Sequence, residues 1–346
     1  MTLKTGIIKG DIFLRHIPGE GCPDTPKRLN DLYSMLNDPD MQGLFVDVPP
    51  KKAQEKEILL FHTHEYFEKI AETRGKALIA LTADTHASED SFDAALYATG
   101  GFLNAISLVA ANKLDNAFAL IRPPGHHAEK SRAMGYCLFN HIAIGAIFAQ
   151  KILKLSRILI IDWDLHHGNG TQHAFERDSN VLFFSVHQAG LFPGTGSFTE
   201  TGSGPGEGYT INLPIPKGYG DSEYTSIFES LLVPVAEQFA PELILVSAGF
   251  DTHRDDPMGG MLMTAQGFAG MAASIKKIAD KACSGKIVMS LEGGYNCDAL
   301  SESTKAVLKE MADVTCCDVG AMAAKADKKK MAYVVRRCMD VHKKFF

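Results

Sequence analysis

Short apolar runs alternate with longer stretches of helical periodicity along most of the chain, and this alternation restricts the fold more than any other property of the sequence. The apolar runs cover residues 43–48, 117–121, 158–161, 181–186, 243–246 and 287–291. Each has the length and apolar character of a strand buried on both faces. Candidate helices lie between them at residues 92–112, 141–154, 222–239, 265–281 and 298–311. Strands of that kind separated by helices predict an α/β fold, a mostly parallel central sheet flanked by helices on both faces. A length of 346 residues with 45% hydrophobic and 22% charged is enough for a large core.

The composition excludes several classes of partner. A net charge of −6 gives no overall attraction for nucleic acid or an anionic membrane. No apolar stretch is expected to reach the roughly 20 residues that span a bilayer. Residues 1–11 lack a secretory pattern. Seven cysteines without paired CxxC spacing point to a reducing compartment, expected to be the cytoplasm. Only the tail changes composition: Lys328, Lys329, Lys330, Arg336, Arg337, Lys343 and Lys344 read as the solvated face of a terminal helix. The expected organisation is a catalytic unit of residues 1–315 and a basic helical tail, 316–346, packed on it or extending from it. Self-association is left open.

In open parallel sheets ligands gather where strands end. The run at 158–161 is followed by Asp162-Trp-Asp164-Leu-His166-His-Gly-Asn169-Gly. Alternate side chains of a strand point the same way, about 7 Å apart, so Asp162, Asp164 and His166 are expected on one face. Carboxylates and imidazole suit a divalent metal such as zinc. Three other strands are followed by Arg122-Pro-Pro-Gly-His126-His127, Ser247-Ala-Gly-Phe-Asp251 and Glu292-Gly-Gly-Tyr295-Asn296. Taken singly, these pieces read as a turn, a helix cap and a rim aromatic. Four strands delivering His, Asp and Tyr to one rim read instead as an active site. The Gly- and Pro-rich segment 187–208 is long enough to wall it.

These segments resemble the zinc-dependent histone deacetylase superfamily, which includes bacterial histone deacetylase-like amidohydrolases and acetylpolyamine amidohydrolases. The likeness runs from about His16 to about Val307 and also takes in Gly135-Tyr-Cys-Leu-Phe-Asn140 and Phe192-Pro-Gly-Thr-Gly196. It implies a single arginase/deacetylase-like domain with one zinc ion held by Asp164, His166 and Asp251. It implies that His126 and His127 face the reacting water, with Asp162 behind the first and Asn169 behind the second. Asn169 resembles the class II pattern, because class I members usually carry aspartate there. The resemblance further implies a tunnel of Gly135, Tyr136 and Phe192 around an acyl-lysine stem, with Gly259, Gly260 and Leu262 at its floor or rim. A structural potassium ion is implied near Asp162, Ser185 and Val186.

The expected reaction is hydrolysis of the amide of an acylated lysine side chain in a peptide or protein. His127 acts as general base and then acid, His126 as a positioned partner, and Tyr295 as hydrogen-bond donor to the oxyanion. Relatives specialised for acetylpolyamines carry a glutamate where this chain has Met258, and that departure favours acyl-lysine. The alternatives are an amidohydrolase acting on acetylated small amines and a non-catalytic acyl-lysine binder. A two-manganese ureohydrolase needs more acids than this rim offers.

Overall fold

The computed structural model describes residues 4–345. Its strands are β1 (Thr5–Ile8), β2 (Phe45–Val48), β3 (Leu78–Ala80), β4 (His86–Ser88), β5 (Asn116–Ala119), β6 (Ile158–Asp162), β7 (Val181–Gln188), β8 (Thr210–Ile215), β9 (Leu243–Ala248) and β10 (Ile287–Leu291). Eight of them form one sheet in the order β2-β1-β5-β10-β9-β6-β7-β8, and every neighbouring pair is parallel. β3 and β4 make a separate antiparallel hairpin. Each of the six anticipated runs contains or overlaps a strand of the sheet. β1 and β8 escape a reading by hydrophobic runs. Gly6 dilutes the first, and Pro214 suits the second only as an edge strand, where a missing amide proton costs no ladder bond.

The helices are α1 (Lys27–Met35), α2 (Glu55–Ile58), α3 (His64–Ala71), α4 (Ser91–Ala110), α5 (His141–Lys151), α6 (Asn169–Phe175), α7 (Asp221–Ile227), α8 (Val233–Phe239), α9 (Ala265–Cys283), α10 (Cys297–Met311), α11 (Val319–Ala323) and α12 (Lys328–His342). The helix expected over 222–239 is divided into α7 and α8 by a π-helical stretch, Phe228–Leu232, just before Pro234. α4 and α5 pack on each other and on the sheet; α1, α7, α8, α9 and α10 form the other layer. β6, β9 and β10 are buried along their whole length, as their largely apolar sequences require. Two motif asparagines start helices: the Asn140 side chain accepts from Ala143 N–H, and that of Asn296 from the amides of Asp298 and Ala299.

α4 corrects one expectation. By length and apolar composition it could cross a bilayer, yet most of it is buried inside the fold. It packs on the sheet and on α5 as a core helix. The basic tail forms α11 and α12. Val334, Cys338 and His342 recur at every fourth position and are buried, and α12 packs on α7 and β8. Lys328, Lys329, Arg336 and Arg337 remain exposed. Residues 1–3 and 346 of the two expected units lie outside the described residues.

Three buried histidines tie together the loops around the sheet's rim. His62 Nε2 accepts the Asn140 amide at 3.0 Å, His141 Nε2 lies 3.0 Å from Pro123 O, and His16 Nδ1 lies 2.7 Å from Ser91 Oγ. Burial lowers His62 and His16 to about 3 and His141 to about 4, from 6.5, and the Arg122 guanidinium adds to the effect on His16. The folded chain keeps them neutral, while the unfolded chain takes up protons below pH 6.5. Stability should therefore fall as pH drops from 6.5 towards 4. A urea midpoint unchanged between neutral and mildly acidic buffer would contradict this.

Candidate active site

Strand order creates the site. β5, β10, β9 and β6 are consecutive neighbours in the sheet, about 4.8 Å apart, and all run the same way. The segments that follow them converge on one edge, although they are far apart in sequence.

Asp164, His166 and Asp251 come together there: each offers one ligand atom, and these atoms lie within 4.8 Å of one another. His166 Nδ1 is 3.3 Å from Asp164 Oδ1 and 3.1 Å from Asp251 Oδ2. Bond lengths of about 2.0–2.1 Å in a tetrahedral zinc site place neighbouring ligands about 3.3 Å apart, so these separations suit a shared divalent ion. Backbone amides aim the acids. Asp164 Oδ2 accepts from Gly293 N–H at 2.8 Å, and Asp251 Oδ1 accepts from Leu165 N–H at 2.9 Å. Both carboxylates are essentially inaccessible to solvent. Burial, and then the Asp164 charge, push Asp251 up to about 7. Two dry acids crowding one point demand positive charge, which a divalent cation supplies.

Asp162 does not join this group, which corrects the expectation from alternation. β6 ends at Asp162, so Asp164 and His166 lie in the loop beyond it and no longer follow strand geometry. The Asp162 carboxylate instead holds His126, with Oδ2 2.9 Å from Nδ1, and accepts the Asp164 amide on Oδ1. Burial opposes charge on His126, but Asp162, Asp164 and Glu292 outweigh it and raise the imidazole to about 10. His127 goes the opposite way, lowered by burial and then by the neighbouring His126 and His166. Its Nδ1 lies 2.8 Å from Asn169 Oδ1. An amide oxygen only accepts, so the proton sits on Nδ1 and Nε2 keeps its lone pair.

A cavity of about 180 Å³ opens over these groups, lined by His126, His127, Tyr136, Phe192, Met258 and Tyr295 among others, with Gly135 and His166 also on its wall. Phe192 meets His127 edge to face at a centroid distance of 5.0 Å, and Tyr136 meets Tyr295 similarly at 6.2 Å. Gly135 has φ +55, and a Cβ there would collide with the His127 ring. Only glycine lets this loop approach the imidazole. Tyr136 also has positive φ, at 67. Asp84 Oδ2 and Thr85 Oγ1, from the β3–β4 turn, accept the Gly135 and Tyr136 amides at 3.0 Å each. Gly259, Gly260 and Leu262, expected at the floor or rim, are not among the lining residues, and Leu262 is exposed. Asp162 faces Ser185 across β6 and β7, with Val186 next along the strand.

Several supporting roles escape the motifs, although Arg122 and Glu292 stand within them. Asp24 lies between Arg122 and Arg28, all three buried, at 2.7 Å and 2.5 Å. Arg28 also donates to the carbonyls of Glu292 and Gly294 and lies 4.9 Å from the Tyr295 ring centroid. Asp256 Oδ2 accepts the Tyr295 amide at 2.6 Å, and Glu292 Oε2 accepts those of Gly125 and His126. The one available signal is the occurrence of charged residues inside or beside motifs otherwise rich in Gly, Pro and apolar side chains.

Residues 22–311 match the model of the histone deacetylase domain. A probable deacetylase of Archaeoglobus fulgidus is 39% identical over 318 residues, covering 90% of this chain and 87% of that protein. The polyamine deacetylase HDAC10 of Danio rerio is 39% identical over 292 residues, covering 81% of this chain but only 43% of that protein. The crystal structure of the HDA15 HD domain is 32% identical, superposes with a TM-score of 0.92, and covers 100% of this chain and 96% of that one.

Zinc titrated into chelator-treated protein should raise its thermal midpoint at one ion per chain, and Asp251→Ala should abolish the shift. Undiminished zinc binding by that variant, measured by elemental analysis, would remove Asp251 from the ligand set.

Proposed function

The chain belongs to the histone deacetylase family, and we propose that it is a zinc-dependent deacetylase acting on acylated lysine side chains of peptides or proteins. The observation that carries the reading is the convergence of Asp164, His166 and Asp251 beside two imidazoles with unlike partners, Asp162 behind His126 and Asn169 behind His127. A zinc ion held by those three residues would supply Lewis acidity towards a carbonyl and acidity for water.

The protein groups divide the remaining work. His127, its Nδ1 proton engaged by Asn169, presents Nε2 to take a proton from water and return it to the departing amine. His126 keeps its charge because of Asp162 and acts as electrostatic partner to the developing oxyanion. Tyr295, whose phenol burial holds well above its ordinary value, stays protonated and donates to that oxyanion. Gly135, Tyr136 and Phe192 would grip the methylene stem, excluding water while the carbonyl is attacked. An intact proton-transfer pair argues against a non-catalytic binder, which needs none.

Met258 lines the cavity without offering a charge to a distant ammonium, which favours acyl-lysine over polyamines. The likeness to a relative named as a polyamine deacetylase gives acetylated small amines second place. Asn169 groups the chain with the class II pattern. Asp162, Ser185 and Val186 are proposed to hold a structural potassium ion, supported by the oxygen donors that β6 and β7 bring side by side. Seven unpaired cysteines suit the reducing cytoplasm. Residues 1–315 are taken as the catalytic unit and 316–346 as its basic helical cover.

Acyl-lysine peptides and acetylated polyamines assayed side by side, with and without a zinc chelator, test the reading. Chelator-sensitive turnover should be faster on the peptides; no turnover on either substrate sinks the proposal, and preference for polyamines selects the alternative. Tyr295→Phe should keep its zinc and lose roughly a hundredfold or more in kcat. Near-normal turnover would take the oxyanion role from Tyr295.

A further inference from the structure

Asn169 can meet His127 Nδ1 with its oxygen or, after a half-turn of the amide, with its NH2 group. The two arrangements leave the imidazole proton on opposite nitrogens, and only the first frees Nε2. Something must therefore select the amide orientation. Asn169 Nδ2 donates to Glu129 Oε1 at 2.5 Å and more weakly to His127 O at 3.3 Å. A carboxylate accepts and never donates when ionised, so it holds the amide nitrogen and turns the oxygen towards His127. Glu129 is itself held. His173, one helical turn beyond Asn169 on α6, places Nδ1 2.9 Å and 3.1 Å from the two Glu129 oxygens. Burial would raise the Glu129 carboxyl, but its hydrogen bonds from His173 and Asn169 outweigh burial and keep it below the usual carboxylate range.

We infer that Glu129 is a positioning residue for the deacetylase reaction: through the Asn169 amide it fixes the His127 tautomer, with His173 steadying it at the surface. The side chain of Glu129 is 24% exposed and that of His173 44%. A surface ion pair of that kind is worth little to stability, so its bond to Asn169 is what gives it consequence. The chain thus supplies a negative charge one residue behind the neutral amide, remote from the imidazole it serves.

The inference rests on the deacetylase reading for its kinetic arm only. In zinc-loaded protein, Glu129→Ala should lower kcat by about tenfold, the usual scale for a lost outer hydrogen-bond partner, with KM and zinc content unchanged. Glu129→Gln retains an acceptor oxygen and should recover most of that loss. Adding Glu129→Ala to Asn169→Ala should cost nothing beyond Asn169→Ala alone, because the effect runs through the amide. Nitrogen-15 NMR should show His127 protonated at Nδ1 in the wild type and shifted towards the other tautomer in Glu129→Ala. An unchanged tautomer, an unchanged kcat or strictly additive losses would overturn the inference. A tautomer that moves in Glu129→Ala, in a protein whose wild type hydrolyses no acylated amine, would sink the deacetylase reading and leave the control of His127 by Glu129 standing.

Discussion

Two carboxylates, Asp164 and Asp251, are forced together out of reach of water, and the rest of the site answers to that constraint. Burial, and then the Asp164 charge, raise Asp251, and the crowding draws positive charge to the point between the two acids and gives His166 its place at 3.1 Å and 3.3 Å. Isolated buried anions would be intolerable. Backbone amides from Gly293 and Leu165 each occupy one oxygen, so the acids have fixed directions before any ion arrives. Such preorganisation is possible because the parallel sheet places β9 beside both β10 and β6.

The two histidines next to this centre show how environment divides labour between identical side chains. His126 has anionic neighbours, Asp162 foremost, that outweigh its burial and raise it to about 10; His127 meets an amide instead, and burial with the neighbouring His126 and His166 lowers it. Adjacent imidazoles whose protonation is driven apart can serve as fixed charge and proton acceptor at the same pH. Neither role is encoded in the residue itself.

How much of this is legible in the sequence depends on distance along the chain. The strand runs and the polar residues following them can be read because each motif is local and the rule placing ligands at strand ends is general. His126, His127, Tyr136, Phe192 and Tyr295 do line one cavity. Strand alternation misplaces Asp162 because the strand stops there. Arg28 bonds to Glu292 O across 264 positions, and Asp256 reaches Tyr295 N–H across 39. Contacts of that kind leave no periodicity to find. β1 and β8 are hidden by Gly6 and Pro214 for a simpler reason: each interrupts the apolar run by which strands are recognised.

The terminal helix has a bearing on the exposed margin of the sheet. β8 closes one margin of the sheet, and a bare margin is a template for further chains. α12 packs against β8 and leaves Lys328, Lys329, Arg336 and Arg337 exposed, while Pro214 interrupts the row of amides that an incoming ribbon would need. The covering helix and the interrupted amide row together disfavour edge-to-edge pairing along this margin.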